Sequence, residues 1–333
     1  MQVLEHCLSN LDFGAAQTHE HLTVYPLLTR KVTVPGYVTL GTAIAGGTAT
    51  VREVSEGGNV PHLLLENNGA QPILILDGEE LLGAKQNRIA NVTILAPAKQ
   101  TIEIPVSCVE AGRWSYNSTQ FSCSDSAQFL EGRRRKTARV TESLNQGGVR
   151  DAQQSEVWDQ INLKAQRMSV ESDTSAMADI YDHHQSSISD YVSAFSASAT
   201  QVGAVFAIRS RIEGLELFDC PPTLAELLPK LIRSYAIDAI EHRETQTPPS
   251  ADAARSFAHQ LAKSDIETYP GVGLGTEIRL TAPGIIAAGL VEDNRVVHLA
   301  AFTAPANEHG LDDSGSSRLQ NLMERRRRWN NAA

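Results

Sequence analysis

Alternating apolar and polar positions dominate the first third of the chain. Short runs rich in β-branched residues are separated by Gly, Pro and Asn, which is typical of strands joined by turns. Pro26, Pro61, Pro72 and Pro105 fall at the starts or edges of these runs, where a missing N–H is tolerated. The pattern predicts a mainly antiparallel β-sheet, sandwich-like or barrel-like. The predicted strands are 22–28, 48–54, 63–66, 73–76, 89–95 and 101–106.

The middle of the chain changes from strand to helix periodicity. Residues 115–126 are polar, 131–136 (EGRRRK) are basic, and 145–149 (NQGGV) have the composition of a loop. From Asp151 onward apolar residues recur at helical spacing, and the residues at 172–174 can cap a second helix at 175–191. The basic run is interpreted as a solvated face, with contact to a phosphate-bearing partner as the alternative.

Alternation returns in the last third. Segments 202–208 and 214–218 predict a hairpin, and 275–280, 285–291 and 296–302 predict a β-meander with a turn at Asp293 and Asn294. Leucines on one side of 223–240 predict a helix kinked at Pro229, and 251–263 and 316–329 predict two more. The fold class is therefore α+β: an N-terminal mainly antiparallel β-sheet, then helices and a second hairpin and meander sheet packed with helices.

Length and charge limit the organisation and the partners. With 333 residues, we expect a β-rich domain at 1–145 and an α+β domain at 146–333 packed against it. Hydrophobic residues make up 41% and charged residues 20%, as in globular proteins. The net charge of −10 favours a soluble protein and argues against a general DNA-binding or RNA-binding surface. The sequence does not specify an oligomeric state.

Cysteine content and the N-terminus predict the compartment. The four cysteines show neither a tight pair nor a C-x2-C spacing, so they predict reduced thiols and no metal site. The N-terminal residues lack the basic and apolar regions of a signal peptide. No apolar run approaches the ~20 residues needed to span a bilayer. We therefore expect a cytoplasmic protein without a membrane partner.

The segment 78–88 (GEELLGAKQNR) is dense in groups that can bind or catalyse. Glu79 is a candidate general acid or base. On an extended strand Lys85 and Asn87 would share one face, and a cation beside an amide suits a phosphate or a sugar. The alternative is a hairpin whose charges are solvated or paired with each other. The candidate ligand-binding residues here are Glu80, Lys85, Gln86, Asn87 and Arg88.

The segment 107–114 (SCVEAGRW) has the same character. Glu110 with Arg113 is either an ion pair that fixes a loop or a general acid or base beside an anion clamp. Trp114, with Tyr116, is either a stacking wall for a base or a core aromatic. Cys108 is a candidate nucleophile, although no base is assigned to it.

Other clusters have simpler interpretations. His19-Glu20-His21 is interpreted as a surface loop, because adjacent strand residues point to opposite faces. Asp182-His183-His184 is interpreted as a solvated helix turn, and His298 as a buried histidine with its hydrogen bonds satisfied. The GVGLG segment at 271–275 precedes a strand, so it is not a dinucleotide fingerprint.

Two strings resemble a known family, the ADP-ribosylglycohydrolase and rhodanese-phosphatase associated protein domain, a domain of unknown function. They are GEELLGAKQNRIANVTILAPA (78–98) and IPVSCVEAGRWSY (104–116), with milder similarity at 22–27, 157–181 and 214–240. Since the two motifs match the family's motif positions, the resemblance favours a site over a decorated hairpin. The family name implies an association with NAD and ADP-ribose metabolism. The resemblance brings no catalytic mechanism and no cofactor.

Two functions remain open. The first is an enzyme acting on an NAD-derived or ADP-ribose-like nucleotide at a glycosidic or phosphoester bond, with Glu79 or Glu110 as acid or base. Lys85, Arg88 and Arg113 would then hold phosphates. The second is a non-catalytic nucleotide-sensing or protein-interaction module. Clustered carboxylates with shifted pKa values in a pocket would favour the enzyme, and a shallow charged groove would favour the binder. RNA binding through the arginine runs is a weaker third option.

Overall fold

The computed structural model describes residues 2–55 and 57–304. The predicted tail helix at 316–329, with its run Arg325–328, lies outside the described residues. The strands are β1 (Leu11–Phe13), β2 (Gln17–His19), β3 (Leu22–Thr29), β4 (Val38–Thr39), β5 (Ala49–Glu53), β6 (His62–Asn67), β7 (Ile73–Ile75), β8 (Glu79–Gly83), β9 (Arg88–Ala90), β10 (Ile94–Ala96), β11 (Gln100–Cys108), β12 (Phe121–Ala127), β13 (Gln201–Ile208), β14 (Arg211–Phe218), β15 (Asp265–Pro270), β16 (Thr276–Ala282), β17 (Ile285–Glu292) and β18 (Arg295–Thr303). The helices are α1 (Gln2–Ser9), α2 (Leu40–Ala45), α3 (Leu130–Gly147), α4 (Gln154–Arg167), α5 (Met177–His183), α6 (Gln185–Ala194), α7 (Pro221–Ala239) and α8 (Ala251–Leu261).

Six strands close into a barrel in the order β11-β6-β5-β12-β8-β9, and β9 pairs back onto β11. Buried and half-buried positions alternate along β5, as the two-residue period of a strand requires. Val51, Leu65 and Ile104 from three of these strands are fully buried in one apolar core. The prediction of an antiparallel, barrel-like N-terminal sheet is confirmed.

A second, nine-stranded sheet contains the first and the last strands of the described chain. Its order is β1-β3-β13-β14-β18-β17-β16-β15, with β2 paired to β3, and its strands are antiparallel to their neighbours. The predicted hairpin and meander are confirmed as β13–β14 and β16–β18. The domain division after residue 145 stays a prediction; residue 145 lies within α3, and β3 pairs with β13 from later in the chain.

Helix α7 joins the nine-stranded sheet to the barrel. It begins at Pro221, because proline at the first helical positions loses no needed N–H. Its apolar side chains, Leu224 and Leu231 among them, are fully buried, and the helix packs on β13 and β12. The helix predicted at 223–240 is therefore confirmed, with its start slightly earlier. Lys230 on the same helix reaches Glu79 of the barrel.

The polar middle of the chain differs most from expectation. Strand β12 begins within the segment that its composition marks only as polar, and α3 continues through 145–147, which were expected to form a loop. The basic run starts α3, and Arg133 and Lys136 are fully buried, paired with Glu216 and Asp77. The interpretation of this run as a solvated face is wrong for both residues, since each cation has a buried carboxylate partner that composition cannot reveal.

Two predicted elements are each divided in the structure. The helix expected at 175–191 is broken at His184, whose φ of −103° and ψ of 16° end α5 before α6 begins. The strand expected at 89–95 is divided into β9 and β10, which pair with different partners. Strand β10 pairs with β7, which also pairs in parallel with β4.

Candidate functional site

The first motif, 78–88, forms a hairpin of the barrel. Strand β8 ends at Gly83 and β9 begins at Arg88, so residues 84–87 form the turn between them. Lys85 and Asn87 therefore do not share the face of an extended strand, and that prediction is wrong. Ala84 adopts a φ of +42°, and its N–H donates to Ser118 Oγ at 2.9 Å, which stabilises this tight turn.

The second motif, 107–114, leaves the barrel at the end of β11 and turns sharply toward the loop before α5. Glu110 forms an isolated β-bridge with Ala176, and the Gly112 N–H donates to the Thr174 carbonyl at 2.7 Å. A Cβ on Gly112 would lie 2.8 Å from Thr174 Cα, closer than such atoms approach in proteins. Glycine is therefore required at this position.

The two motifs lie side by side because β9 pairs with β11. Cys108 is opposite Arg88 in the register, and the Val109 N–H donates to the Asn87 carbonyl at 3.0 Å. The Asn87 N–H in turn donates to Glu110 Oε2 at 3.1 Å. The two turns therefore meet in space, as their neighbouring places along the chain indicate.

Glu110 and Arg113 form a largely buried ion pair at the centre of this arrangement. Nε and Nη2 of Arg113 donate to the two carboxylate oxygens at 2.8 and 2.6 Å, and the Thr174 hydroxyl donates at 3.0 Å. Burial opposes the charge on Glu110, but these hydrogen bonds, with that from the Asn87 N–H, outweigh burial and lower its pKa. Glu110 therefore stays ionised, with its oxygens occupied.

The remaining donors of Arg113 fasten the second motif to the turn of the first. Nη1 donates to the Ala84 carbonyl at 2.7 Å and to the Ser115 carbonyl at 3.1 Å, while Nη2 donates to Asn87 Oδ1 at 3.1 Å. Gln86 supports the same junction, since its Nε2 donates to the Glu110 carbonyl at 2.7 Å. These amide and guanidinium groups bind the protein's own backbone.

Arg88 is fully buried and pairs with a residue outside both motifs. Its Nη2 lies 3.7 Å from Glu53 Oε1 on β5, and its Nη1 donates to the Gln86 carbonyl at 3.0 Å. Burial lowers the pKa of Arg88, although the charge of Glu53 opposes this. Sequence reasoning missed Glu53, although the two-residue period of β5 places it on the same face as Ala49 and Val51, and this was the available signal.

Glu79 also pairs with a residue that the sequence did not single out. Its Oε1 accepts from Lys230 Nζ at 2.5 Å, and its Oε2 accepts from the Leu76 N–H at 3.1 Å. Burial disfavours the charge on Lys230, but Glu79 outweighs burial and raises the lysine pKa. The available signal was a lysine among the leucines of an amphipathic helix.

Glu80 differs from the other motif carboxylates. It is 1% exposed, and its Oε1 accepts no hydrogen bond from any described residue. Burial raises the pKa of Glu80 to about 7, and a hydrogen bond from Ser124 opposes the rise. Ser124 lies where the pairing of β12 with β8 shifts register between Cys123 and Ala127, an irregularity common beside functional groups.

Cys108 is fully buried at the end of β11. Burial raises the pKa of its thiol to about 11, although the charge of Arg88 opposes the rise. A nucleophilic cysteine needs a thiolate near neutral pH, so this environment does not support that role.

The exposed part of the two motifs is aromatic. Trp114 is 49% exposed and Tyr116 is 51% exposed, so the interpretation of either as a core aromatic is wrong. The Lys85 ammonium lies 5.2 Å from the Trp114 ring centroid and 5.1 Å from that of Tyr116, within the range of a cation–π contact. It also donates to the Gly57 carbonyl at 2.8 Å. We call Lys85, Trp114 and Tyr116 the aromatic platform.

The other candidate clusters do not join this site. His298 is fully buried, bonded to Thr93 at 2.7 Å and Glu216 at 3.1 Å, which confirms a satisfied buried histidine. Burial lowers its pKa, with Glu216 opposing. His19 packs edge-on against Tyr191, with ring centroids 4.9 Å apart. Residues 271–275 precede β16, as expected for a segment that is not a dinucleotide fingerprint.

Three further observations concern the described part of the chain as a whole. None of its helices is both long and apolar enough to cross a bilayer. Within residues 2–55 and 57–304, no three His, Cys, Asp or Glu side chains are grouped to hold a metal ion. A groove with a volume of about 1020 Å³ lies beside α1, and its walls contain no residue of either motif.

The comparisons with known proteins identify a family. Residues 10–302 match the ARG and Rhodanese-Phosphatase-superfamily-associated Protein domain. No curated protein and no solved structure matches the chain. The match includes both motifs, the barrel and all but the last residue of β18. The chain therefore belongs to the ARG and Rhodanese-Phosphatase-superfamily-associated Protein domain family.

Proposed function

We propose that this protein is a binding module for a phosphate-bearing nucleotide of the ADP-ribose type, which stacks its base on the aromatic platform. The observation that supports this proposal most directly is that Trp114 and Tyr116 are about half-exposed and flank the Lys85 ammonium. Half-exposed aromatic rings offer flat faces for a base, and such stacking contributes roughly 1–3 kcal/mol per base. The family name, which refers to ADP-ribosylglycohydrolases, is consistent with this ligand class.

Lys85 supplies a positive charge without an ion-pair partner among the described residues. Arg88 and Arg113 each have a carboxylate partner, Glu53 and Glu110. By contrast, no described carboxylate lies within ion-pair distance of the Lys85 ammonium, which donates to a main-chain carbonyl. An ammonium carries three donors, so a ligand phosphate can accept from those that remain. The charge beside the rings therefore favours a nucleotide over a neutral aromatic molecule.

The buried charges of the motifs support binding rather than turnover. Glu79 and Glu110 are held by Lys230 and Arg113, and their oxygens already accept hydrogen bonds. In this proposal Glu110 fixes the turn at 84–87 and the strand end at 107–113 in one geometry, and Glu79 fastens the start of β8 to α7. A fixed surface loses little entropy when a ligand binds, which raises its affinity.

Isothermal titration calorimetry with NAD, ADP-ribose and ADP tests the proposal. Replacing Trp114 with Ala should weaken binding roughly 5- to 150-fold, the equivalent of one stacked base. Trp114→Phe should retain most of the affinity because it keeps a ring. Leu163→Ala is the control, since Leu163 is 53% exposed and outside the platform.

A second pair of variants separates charge from stacking. Lys85→Met should weaken ADP-ribose more than adenosine, because only the former carries phosphates. Lys99→Met is the matched control, since Lys99 also donates to a main-chain carbonyl, that of Asn68, but lies outside the platform. Absence of heat from all three nucleotides, with the protein shown to be folded, would refute the proposal.

One observation favours an enzyme as the second candidate. Glu80 is the motif carboxylate whose pKa lies near 7, where a group exchanges protons most effectively at neutral pH. If the protein hydrolyses its nucleotide, Glu80→Gln should abolish turnover while ADP-ribose affinity is retained. Equal turnover in Glu80→Gln and wild type would remove this candidate.

A further inference from the structure

A groove separate from the aromatic platform lies between α1 and the nine-stranded sheet. Its volume of about 1020 Å³ is at the upper end of the range for small-molecule sites. Leu217 of β14, Val202 of β13 and Val296 of β18 belong to one apolar cluster and contribute walls, and all three are buried. Such walls suit the apolar part of a ligand.

A single carboxylate, Asp219, stands at the end of these apolar walls. Its side chain is 3% exposed, yet the residue lines the groove. The Tyr37 hydroxyl donates to Oδ1 at 2.5 Å, which fixes the carboxylate, and the backbone carbonyl accepts from Thr33 Oγ1 at 3.0 Å. Oδ2 accepts no hydrogen bond from any residue described in the structure. Buried acceptors in proteins are normally hydrogen-bonded, so an unbonded carboxylate oxygen here indicates a missing donor.

The only described cation within ion-pair distance of Oδ2 neutralises the charge of Asp219 only in part. Arg295 Nη1 lies 3.4 Å from Oδ2, without hydrogen-bond geometry, and the Arg295 side chain is 44% exposed. Arg30, which also lines the groove, donates two hydrogen bonds of 2.8 Å to Asp12. At Asp219 the groove therefore presents a carboxylate acceptor, whereas the cations Arg30 and Lys31 line it at exposed positions.

The neighbouring thiol does not change this charge. Cys7 of α1 lines the groove opposite the sheet. Burial, with a contribution from the charge of Asp219, raises the pKa of Cys7 to about 11. The thiol is therefore neutral at physiological pH, so Asp219 provides the negative charge at the floor.

We propose that this groove is a second ligand site, which binds a small amine with an apolar body. The ligand ammonium donates to Asp219 Oδ2, and its apolar part packs against Leu217, Val202 and Val296. Because Asp219 is nearly buried, water screens an ammonium–carboxylate bond there less than it screens the same bond at the surface. This site is independent of the nucleotide proposal, because the groove shares no residue with the platform.

Titration of the full chain with 2-phenylethylamine tests the site, with phenylacetate as the charge-reversed control. We expect saturable calorimetric binding of the amine and at least tenfold weaker binding of phenylacetate. Asp219→Asn should weaken the amine at least tenfold, because the amide removes the charge. Since Asp219 is nearly buried, this variant can also disturb folding, so a variant at an exposed position is needed beside it.

Ser9→Trp provides that second variant. Ser9 is exposed on the groove side of α1, and its hydroxyl donates to the His6 carbonyl, so a Trp side chain there fills the groove from outside. Ser189→Trp is the matched control, an exposed helical serine bonded to the Gln185 carbonyl away from the groove. We expect loss of amine binding in Ser9→Trp and wild-type affinity in Ser189→Trp.

Three results would overturn the proposal. One is the absence of saturable amine binding to the folded wild type. Another is phenylacetate binding as tight as that of the amine. The third is amine affinity unchanged in Ser9→Trp, which decides the question even if Asp219→Asn does not fold.

Discussion

Replacing Glu110 with Gln tests the inference that the buried charges of the two motifs are a scaffold. The glutamine keeps the shape of the side chain but removes its charge and turns one acceptor oxygen into a donor. Glu110 accepts from Arg113 Nε and Nη2, from the Asn87 N–H and from the Thr174 hydroxyl. A glutamine can keep only part of this set, and it leaves Arg113 without an anionic partner.

The expected size of the effect follows from burial. The side chains of Glu110 and Arg113 are 7% and 13% exposed, so water replaces little of what is lost. Removing one partner of a buried pair costs roughly 3–5 kcal/mol, and the slight exposure of this pair places it at the lower end, about 3 kcal/mol. Asp252→Asn is the control, since Asp252 pairs with Arg255 at the same i,i+3 spacing but is 89% exposed. It should cost no more than about 1 kcal/mol.

Urea denaturation at pH 7 measures the stability of both variants. A loss of stability lowers the urea concentration at the midpoint of unfolding and leaves the slope of the free energy against urea unchanged. The pH dependence gives an independent check. The pKa of Glu110 is lower in the folded state than its ordinary value of 4.5, so its contribution is present above pH 4.5 and lost as pH falls through the folded pKa. The difference between wild type and Glu110→Gln should shrink over that range. A midpoint shift in Glu110→Gln no larger than in Asp252→Asn would refute the scaffold.

Three more predictions concern stability and reactivity. Burial raises the pKa of Glu80 from 4.5 to about 7, so wild type should lose stability relative to Glu80→Gln as pH rises from 4.5 through 7. Urea midpoints measured across this pH range test the prediction, and parallel profiles for the two proteins would contradict it. Gly112→Ala should destabilise by roughly 1–3 kcal/mol because of overlap with the Thr174 backbone, whereas Gly36→Ala, with open space at its Cβ, should not; equal melting temperatures would contradict this. Cys108 should resist alkylation by iodoacetamide at pH 8 in the native protein and react in urea, as mass spectrometry of peptides would show; rapid native labelling would contradict the buried thiol.

Elements with a strong local period were predictable from the sequence. Strands β5 and β6 of the barrel alternate at a period of two, and α7 carries leucines at helical spacing after two prolines. These patterns report burial of one face, which local sequence encodes. Strand β12 was not predicted because its FSCSDSA sequence has few apolar residues, and its burial depends on pairing with β8.

The buried charges were not predictable, because their partners lie far away in the chain. Arg133 is paired with Glu216 and Glu79 with Lys230, and in each case one residue resembles a surface residue until the fold supplies its partner. The two motifs were found from composition and family resemblance. The structure was needed to show which of their side chains face solvent. The sequence left the charged residues open to ligand contact, solvation or mutual pairing, and Trp114 open to both interpretations.

Nitrogen-15 NMR of the tryptophan indole groups tests the central proposal most directly. The chain has three tryptophans, and Trp114→Phe assigns the Trp114 signal by its disappearance. On titration with ADP-ribose, we expect the Trp114 indole resonance to shift in a saturable way while that of Trp158, outside the platform, stays in place. A Trp114 resonance that does not move at saturating ADP-ribose, or one that moves no more than that of Trp158, would contradict nucleotide binding at the aromatic platform.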